Sequence, residues 1–337
     1  MLPTQLITLI SGFTATSLNL FLLPITFLKS SDKIGRYKYF LMAYTTNAAL
    51  LSFSQLAALP AWYIPNNGYM FISTVQLLPR WFQQSQIMLF VVSYTLNAMI
   101  LMLSFIYRLK VIENANQSFM SKRNLLVTVL GSSLFAIGMI STVQNIMPSE
   151  KIDSLFHDEV YNATGVRLAD AGYIGGEITI DGHINFGMAL CLGMYVLFID
   201  SAVIVILFCW FKIGKKLSEL RDLGNSYYKF QYRLFVLLTL QTTLPIIFNI
   251  IPAAMIFVLS LAKVSIGNTA LLFGTIVTIA QIVDPLCTLF LVQDYKDFLL
   301  CRKRGRRGRI CGTANFVPSG NHFTGQTAPT SMFEDAM

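Results

Sequence analysis

Long apolar stretches recur along the chain and are separated by short polar segments. Seven of these stretches can each cross a bilayer as a helix, because a hydrocarbon core of about 30 Å takes roughly 20 helical residues. They run over residues 6–28, 40–59, 87–107, 124–147, 184–211, 234–261 and 269–292. The pattern predicts an all-α membrane protein with a seven-transmembrane helix bundle.

The basic residues are unevenly distributed among the polar segments. Of 25 lysines and arginines, 21 lie in alternate gaps between the apolar stretches or after the last one. Membrane proteins keep lysine and arginine on the cytoplasmic side. We therefore expect an extracellular N-terminus and a cytoplasmic C-terminus. The net charge of +8 then reflects topology and contact with anionic membrane lipid, and no nucleic-acid partner is expected.

Overall composition favours a membrane protein independently of that pattern. Hydrophobic residues make up 54% of the chain and charged residues 12%, with a mean hydropathy of +0.59. Soluble domains carry about twice that charged fraction. No charged residue precedes Lys29, so we expect the first span to act as its own uncleaved signal.

Two of the predicted extracellular gaps have a distinctive composition. Residues 148–183 are acidic and contain the sequon Asn162-Ala163-Thr164, so we predict a glycan at Asn162. A second sequon at Asn116 lies in a predicted inside loop and should stay bare. The acidic loop is either a solvated glycoprotein surface or an attractor of cationic ligands.

In the gap 60–85, the apolar residues 69–78 are too few to cross the membrane. They predict a short strand, an interfacial segment or a ligand-gating lid.

The chain after the seventh span predicts a short amphipathic helix and a tail. Tyr295, Phe298, Leu299 and Arg302 have helical spacing that suits the inner leaflet. We predict two parts in the chain: a receptor domain, 1–302, and a cytoplasmic tail, 303–337, which begins with a basic segment and continues as a disordered one. Cys301 is a candidate for reversible acylation or a simple reduced thiol.

Cysteine and histidine positions limit the covalent and metal chemistry. None of the five cysteines lies in a predicted extracellular loop, so no extracellular disulfide is expected. The three histidines lack metal-ligand spacing. We expect no metal and no cofactor.

Two acids interrupt the apolar spans. Asp200 and Asp284 each cost about 3 kcal/mol at mid-membrane on insertion scales, so both are expected to face the bundle interior. Asp284 precedes Pro285, which frees a backbone carbonyl and bends the helix. Asp200 either pairs with a cationic ligand or is a neutral structural acid.

The sixth span has the composition of a hinge. Gln241, Pro245, Asn249 and Pro252 weaken the helix at two levels. The helix is therefore either a moving element beside a cavity or a permanently kinked packing element.

Motifs for enzymatic chemistry are missing from the sequence. It has no carboxylate pair, nucleophile with a base, metal spacing or phosphate-binding glycine loop, so we do not expect an enzyme. Matched halves, which would favour a transporter, are also missing. A transporter and a seven-helix ligand-gated channel remain as alternatives to a receptor, although channels of the insect olfactory receptor type have the opposite orientation.

Four sequence elements occur in order on the predicted helices. They are residues 34–42 (IGRYKYFLM), residues 105–108 (FIYR), residues 231–235 (QYRLF) with the later QTTLP of 241–245 and Pro252, and residues 284–286 (DPL) with Tyr295-Lys296. In these elements the chain resembles the nematode seven-transmembrane serpentine chemoreceptors of the Str type, up to about Arg302. Leu109, Arg233 and Lys296 depart from the residues usual in that family.

The resemblance implies a chemosensory, or olfactory, G-protein-coupled receptor of sensory neurons, displayed on the plasma membrane of the cilium. It implies a small odorant-like ligand and a heterotrimeric G protein as partners. We expect the ligand pocket to include Phe90, Tyr94 and Asn97, which share one face of the third helix, together with Asp200 and Asn249. Signalling residues toward the G protein are expected to be Tyr107, Arg108, Arg233, Asp284, Pro285 and Tyr295.

Overall fold

A computed structural model describes residues 3–29, 37–65, 68–113, 122–180, 182–221, 226–262, 264 and 271–300. Seven long helical segments form the predicted bundle. They are α1 (Pro3–Lys29), α2 (Tyr37–Ala58), α3 (Arg80–Glu113), α4 (Lys122–Val143), α7 (Phe186–Arg221), the pair α8 (Ser226–Pro245) and α9 (Ile251–Leu261), and α10 (Leu271–Leu291). Each segment covers most of one predicted span. The seven-helix fold class is therefore confirmed.

Hydropathy alone identifies fewer of these helices. Among the described residues, three helices are long and apolar enough to cross a membrane: Gln5–Leu28, Arg80–Glu113 and Phe186–Arg221. In α2, by contrast, polar side chains such as Asn47, Ser52 and Gln55 are buried against other helices. Interior polar groups lower the mean hydropathy of a span without exposing polarity to lipid.

The helices α3 and α7 are longer than a bilayer is thick. At 34 and 36 residues, they measure about 51 and 54 Å, against a hydrocarbon core of about 30 Å. Their C-terminal turns pack together through Leu109 of α3 and Ile213 and Leu217 of α7. These two helices are therefore longer than the hydrocarbon core, and Tyr228 and Phe235 of α8 pack against the same cluster.

The other end of the bundle carries a small sheet. Strands β1 (Pro60–Tyr63), β2 (Gly68–Ser73) and β3 (Tyr173–Glu177) are antiparallel in the order β1-β2-β3. The strand expected within residues 69–78 thus forms as β2. Its second partner, β3, comes from the acidic loop about 100 residues later, with Phe71 opposite Ile174.

The acidic loop folds onto this sheet and does not remain a purely solvated surface. Its helices α5 (Glu150–Leu155) and α6 (His157–Thr164) enclose a hydrophobic cluster with the strands. Members of the cluster include Met70, Ile72, Phe156, Val160, Leu168 and Tyr173. We call β1 to β3, α5 and α6 the cap. A two-residue hairpin, β4 (Thr179–Ile180) with β5 (His183–Ile184), leads from the cap into α7.

An ion pair fastens the cap to the bundle. The Arg80 guanidinium, at the start of α3, contacts both carboxylate oxygens of Asp153 at 3.0 and 2.9 Å. The Tyr173 hydroxyl donates to the same carboxylate at 2.8 Å, and Arg80 lies over the Tyr173 ring. Because no cysteine lies in these loops, packing and polar contacts of this kind take the place of a disulfide.

A short helix follows the seventh segment, as predicted. Helix α11 (Gln293–Leu299) points Phe298 outward but buries Tyr295 completely among Leu22, Tyr37 and Leu289. Tyr295 is therefore part of the bundle core and does not share the outer face of α11. The predicted acylation at Cys301 and the predicted tail, 303–337, lie outside the described residues.

Candidate ligand cavity and its connection to the opposite end

A cavity of about 40 Å³ lies among α3, α7 and α8, near the middle of α3. Two of the predicted pocket residues, Tyr94 and Asn97, line it, and most of its other walls are apolar. The further lining residues are Ala98, Leu101, Ile199, Ala202, Val203, Ile206, Thr242, Pro245, Ile246 and Ile250. Ligand pockets usually occupy about 300–1,000 Å³. A ligand larger than a few water molecules must therefore enlarge this cavity.

The α7 wall was missed by sequence reasoning. Ile199, Ala202, Val203 and Ile206 have the i, i+3, i+4, i+7 spacing of one helical face. That spacing was available in the sequence. It did not stand out because the residues on the other faces of α7 are equally apolar, so periodicity carries little information.

Polar groups at the cavity wall are largely engaged by neighbouring helices. The Asn47 amide of α2 donates to the Asn97 side-chain oxygen at 3.3 Å and to the Ser93 carbonyl at 2.7 Å. The Thr242 hydroxyl donates to its own helix at Leu238. A ligand can form hydrogen bonds here only if it replaces some of these contacts.

Phe90 belongs to an aromatic column that runs from the cap to the cavity. Trp62 and Phe71 of the sheet, Phe90 and Tyr94 of α3, and Tyr195 of α7 follow one another with ring-centroid distances of 4.5, 5.0, 6.2 and 6.3 Å. Phe90 is buried and does not line the cavity. It connects the cavity wall to β2.

Asp200 faces away from the cavity. The buried neighbours on α7 are Ile199 and Ala202, whereas Asp200 is exposed. Successive helical residues are 100° apart, so one position from Ile199 turns the side chain out of the bundle. The expectation that Asp200 faces the interior is therefore wrong.

The predicted hinge contains an irregular turn. A π-helical segment, Ile246–Ile250, separates α8 from α9 between Pro245 and Pro252. The Ile251 N–H donates to the Ile246 carbonyl, five residues earlier. This wider turn contributes Ile246 and Ile250 to the cavity. The side chain of Asn249 lies outside the described structure.

Buried polar residues continue from the cavity toward the opposite end. Asp284 of α10 and Tyr44 of α2 are both buried there, and the Tyr44 hydroxyl and Asp284 Oδ1 make no hydrogen bond among the described residues. One turn later, the Thr288 hydroxyl accepts a hydrogen bond from Gln241 at 3.0 Å and donates to the Asp284 carbonyl at 3.2 Å. Polar contacts therefore link α8 to α10 here, and the Asn47 amide links α2 to α3. Pro285, beside Asp284, lies buried within α10.

Arg108 forms the centre of a closed contact at the opposite end. It is buried, its Nη1 donates to the Gln231 side-chain oxygen at 2.8 Å, and its guanidinium lies 4.0 Å from the Tyr37 ring centroid. Tyr37 also stacks on Tyr107. We call Arg108, Gln231, Tyr37 and Tyr107 the latch. Of the predicted signalling residues at this end, Arg233 is exposed, whereas Tyr107, Arg108 and Tyr295 are buried.

Tyrosine hydroxyls in the cap have pKa values above the ordinary value for tyrosine. Burial, and then the Glu159 carboxylate, raise the pKa of Tyr63 to about 12. The Tyr63 hydroxyl accordingly donates to Glu159 at 3.2 Å. Burial also raises the pKa of Tyr173, which donates to Asp153.

Within the part of the chain that the structure describes, no three His, Cys, Asp or Glu side chains form a metal-binding group.

Comparison with known proteins assigns the chain to a family. A family model described as "Serpentine type 7TM GPCR chemoreceptor Str" matches residues 4–300, which include all seven helical segments and the cap. No curated protein matches the sequence. Since the match spans most of the 337 residues, the chain belongs to the Str family of serpentine seven-transmembrane G-protein-coupled chemoreceptors.

Proposed function

We propose that this receptor binds a small odorant-like ligand in the cavity between α3, α7 and α8 and then activates a heterotrimeric G protein. The observation that carries this proposal is the chain of contacts from the cavity to the latch. Asn97 at the cavity wall accepts a hydrogen bond from Asn47 of α2, and Thr242 of α8 lines the same cavity. Gln241 and Thr288 then join α8 to α10, on the way to the latch end of α8.

The ligand acts by favouring one of two helix arrangements. A ligand shifts such an equilibrium only through its different affinity for the two states. The cavity of about 40 Å³ is too small for most ligands, so a ligand binds an expanded arrangement. Expansion moves the α8 wall at Pro245 and Ile246, where the π-helical segment offers a hinge.

The latch end is the proposed site of G-protein engagement. Movement of α8 separates Gln231 from Arg108 and opens a cleft between α3 and α8. Lysines and arginine at positions 212, 215, 216 and 221 lie in the C-terminal part of α7. This basic surface attracts a partner with acidic groups as well as anionic lipid.

The two ends of the bundle lie on opposite sides of the membrane in this proposal. The cap faces the outside and the latch faces the cytosol, at the plasma membrane of a sensory cilium. Asn162, on α6 of the cap, is exposed and therefore accessible to the glycan-transferring enzyme. Asn116 lies outside the described residues.

Glycan mapping tests the orientation. We expect a glycan on Asn162 alone, so that Asn162→Gln removes the mass shift seen on glycosidase treatment. Asn116→Gln is the matched control and should leave the shift unchanged. A glycan at Asn116, with none at Asn162, would place the latch outside the cell and contradict the proposal.

A cavity-filling variant tests the ligand site. Agonists are first identified in cells that express the receptor and an added Gα subunit, with a calcium or cyclic-nucleotide readout and a panel of small volatile and soluble odorants. Ala98→Leu then fills the cavity, and we expect the half-maximal concentration to rise about tenfold or more, because overpacking costs about 1–3 kcal/mol. Joint replacement of Tyr94 and Asn97 should also change the dose response.

Matched controls separate this proposal from other functions. Ala189→Leu adds the same volume on the exposed face of α7 and should leave the dose response unchanged. An unchanged response for Ala98→Leu would reject the cavity as the ligand site. Ligand-evoked current that persists without any Gα would indicate a channel, and saturable uptake of a labelled odorant would indicate a transporter.

A further inference from the structure

One face of α7 has a repeat that the bundle does not use. Gly193, Leu197, Asp200, Ile204, Leu207 and Phe211 follow one another at alternating spacings of four and three residues. Such a spacing has a period of 3.5 residues, which is the repeat of a helix that packs along another helix as a left-handed coiled coil. We call these six residues the seam.

The seam is open along its length in the single chain. Leu197 is 68% exposed, Ile204 66% and Phe211 70%. A Cβ atom added at Gly193 would meet nothing within 4 Å. Other positions of α7 contact the bundle: Ile199 and Ile206 line the cavity, and Phe198 packs on Phe135 of α4 with ring centroids 4.3 Å apart.

Asp200 lies at the centre of the seam and deep in the membrane. It is about 21 Å along the helix from Phe186 and about 18 Å from Lys212, at 1.5 Å per residue. Among the residues that the structure describes, Asp200 has no hydrogen-bond or ion-pair partner. A carboxyl group facing hydrocarbon at this depth is costly, which is why membrane proteins pair such groups.

We propose that the seam is the contact between two copies of this receptor within the membrane, with the Asp200 side chains of the two copies hydrogen-bonded to each other. In a dimer whose two-fold axis is perpendicular to the membrane, identical residues meet at the same depth. One Asp200 carboxyl, having taken up a proton from water, donates to the Asp200 carboxylate of the other copy. Gly193 lets the two backbones approach closely.

The chemistry of the chain favours a second copy as the occupant. Asp200 requires a proton donor or a cation at its own depth, and none of the seven apolar spans contains a lysine or an arginine. A second Asp200 supplies both a donor and an acceptor in the same place. Single polar residues within such a repeat also set register and the number of helices, at some cost in stability. Such a dimer requires neither the ligand nor the G protein.

Resonance energy transfer between fluorescently tagged full-length receptors tests the role of Asp200. We expect transfer at low expression for the natural chain, and a fall in apparent association of about three- to tenfold for Asp200→Leu, the effect of an interhelical hydrogen bond in a membrane. Asp200→Asn keeps a donor and an acceptor and should retain most of the transfer. Equal transfer for Asp200→Leu and the natural chain would overturn the Asp200 pair.

Disulfide trapping tests the seam itself, in a receptor whose five native cysteines are serine. Single cysteines at Leu197 and Ile204 should cross-link two copies. Cysteines at Met194 and Val196 lie roughly a quarter turn to either side and should not. Equal cross-linking at all four positions would indicate random collision, and cross-linking at none would indicate a monomer or a contact with another protein. Either result would overturn the dimer.

Discussion

Replacing Gly175 with alanine is expected to unfold the cap and to stop delivery of the receptor to the cell surface. Gly175 lies on β3 opposite Met70 of β2 and has a φ of +121°. An added Cβ would run into the backbone carbonyl of Tyr69, and a backbone cannot move aside as a flexible side chain can. Strain at such a φ together with the clash should cost at least about 3 kcal/mol.

The measurement is surface biotinylation combined with limited trypsin digestion of intact cells. Lys151 and Arg167 of the cap are the expected cleavage sites, protected in the natural chain and cut in the variant. Gly138→Ala is the matched control, since a Cβ at Gly138 of α4 meets nothing within 4 Å and alanine favours a helix by about 1 kcal/mol over glycine. Full surface delivery and trypsin resistance of Gly175→Ala would contradict this account of the sheet.

Replacing Gln231 with leucine is expected to raise ligand-independent signalling by on the order of tenfold. The change removes the acceptor for Arg108 Nη1, a charged hydrogen bond of 2.8 Å that joins α8 to α3. Hydrogen bonds to charged groups contribute about 1.5–3 kcal/mol, and 1.4 kcal/mol changes a two-state population about tenfold. Loss of the bond destabilises the closed latch more than the open arrangement, so the open population grows.

The variant Gln231→Glu is expected to change basal signalling in the opposite direction. A carboxylate at this position pairs more strongly with the Arg108 guanidinium and should lower basal signalling below that of the natural chain. Both variants are compared at equal surface density by the Gα-dependent readout. If Gln231→Leu signals at the natural basal level while still responding fully to agonist, the latch does not hold the resting state.

Much of the helical architecture could be predicted because it depends on local physics. Backbone groups in hydrocarbon must satisfy one another within a segment, so span length and apolarity identify the helices without reference to their packing. The hinge was predictable for the same reason, since Pro245 and Pro252 affect their own helix wherever it packs. The predicted pocket position of Tyr94 and Asn97 agrees with the cavity lining, but its role in ligand binding stays a prediction.

The orientation of individual side chains was harder to predict from the sequence. Asp200 was assigned to the interior on the cost of exposing an acid, yet the rotation of α7 is set by the many apolar contacts of Ile199, Ala202 and Ile206. One acid cannot outweigh those contacts when a different surface is able to satisfy it. Tyr295 was likewise expected on a helical face that lies on the inner leaflet, whereas α11 buries it against α1, α2 and α10.

By itself, the sequence determined the number and approximate limits of the membrane helices, the weak point of the sixth, and the family through its motifs. Tertiary structure alone decided that β2 pairs with β3 across about 100 residues, that Phe90 supports the cap, and that Arg108 closes on Gln231. The physical reason is the range of the interactions. Helix formation in a membrane is satisfied within each segment, whereas sheet pairing, helix rotation and buried polar contacts depend on partners that only the folded chain brings together.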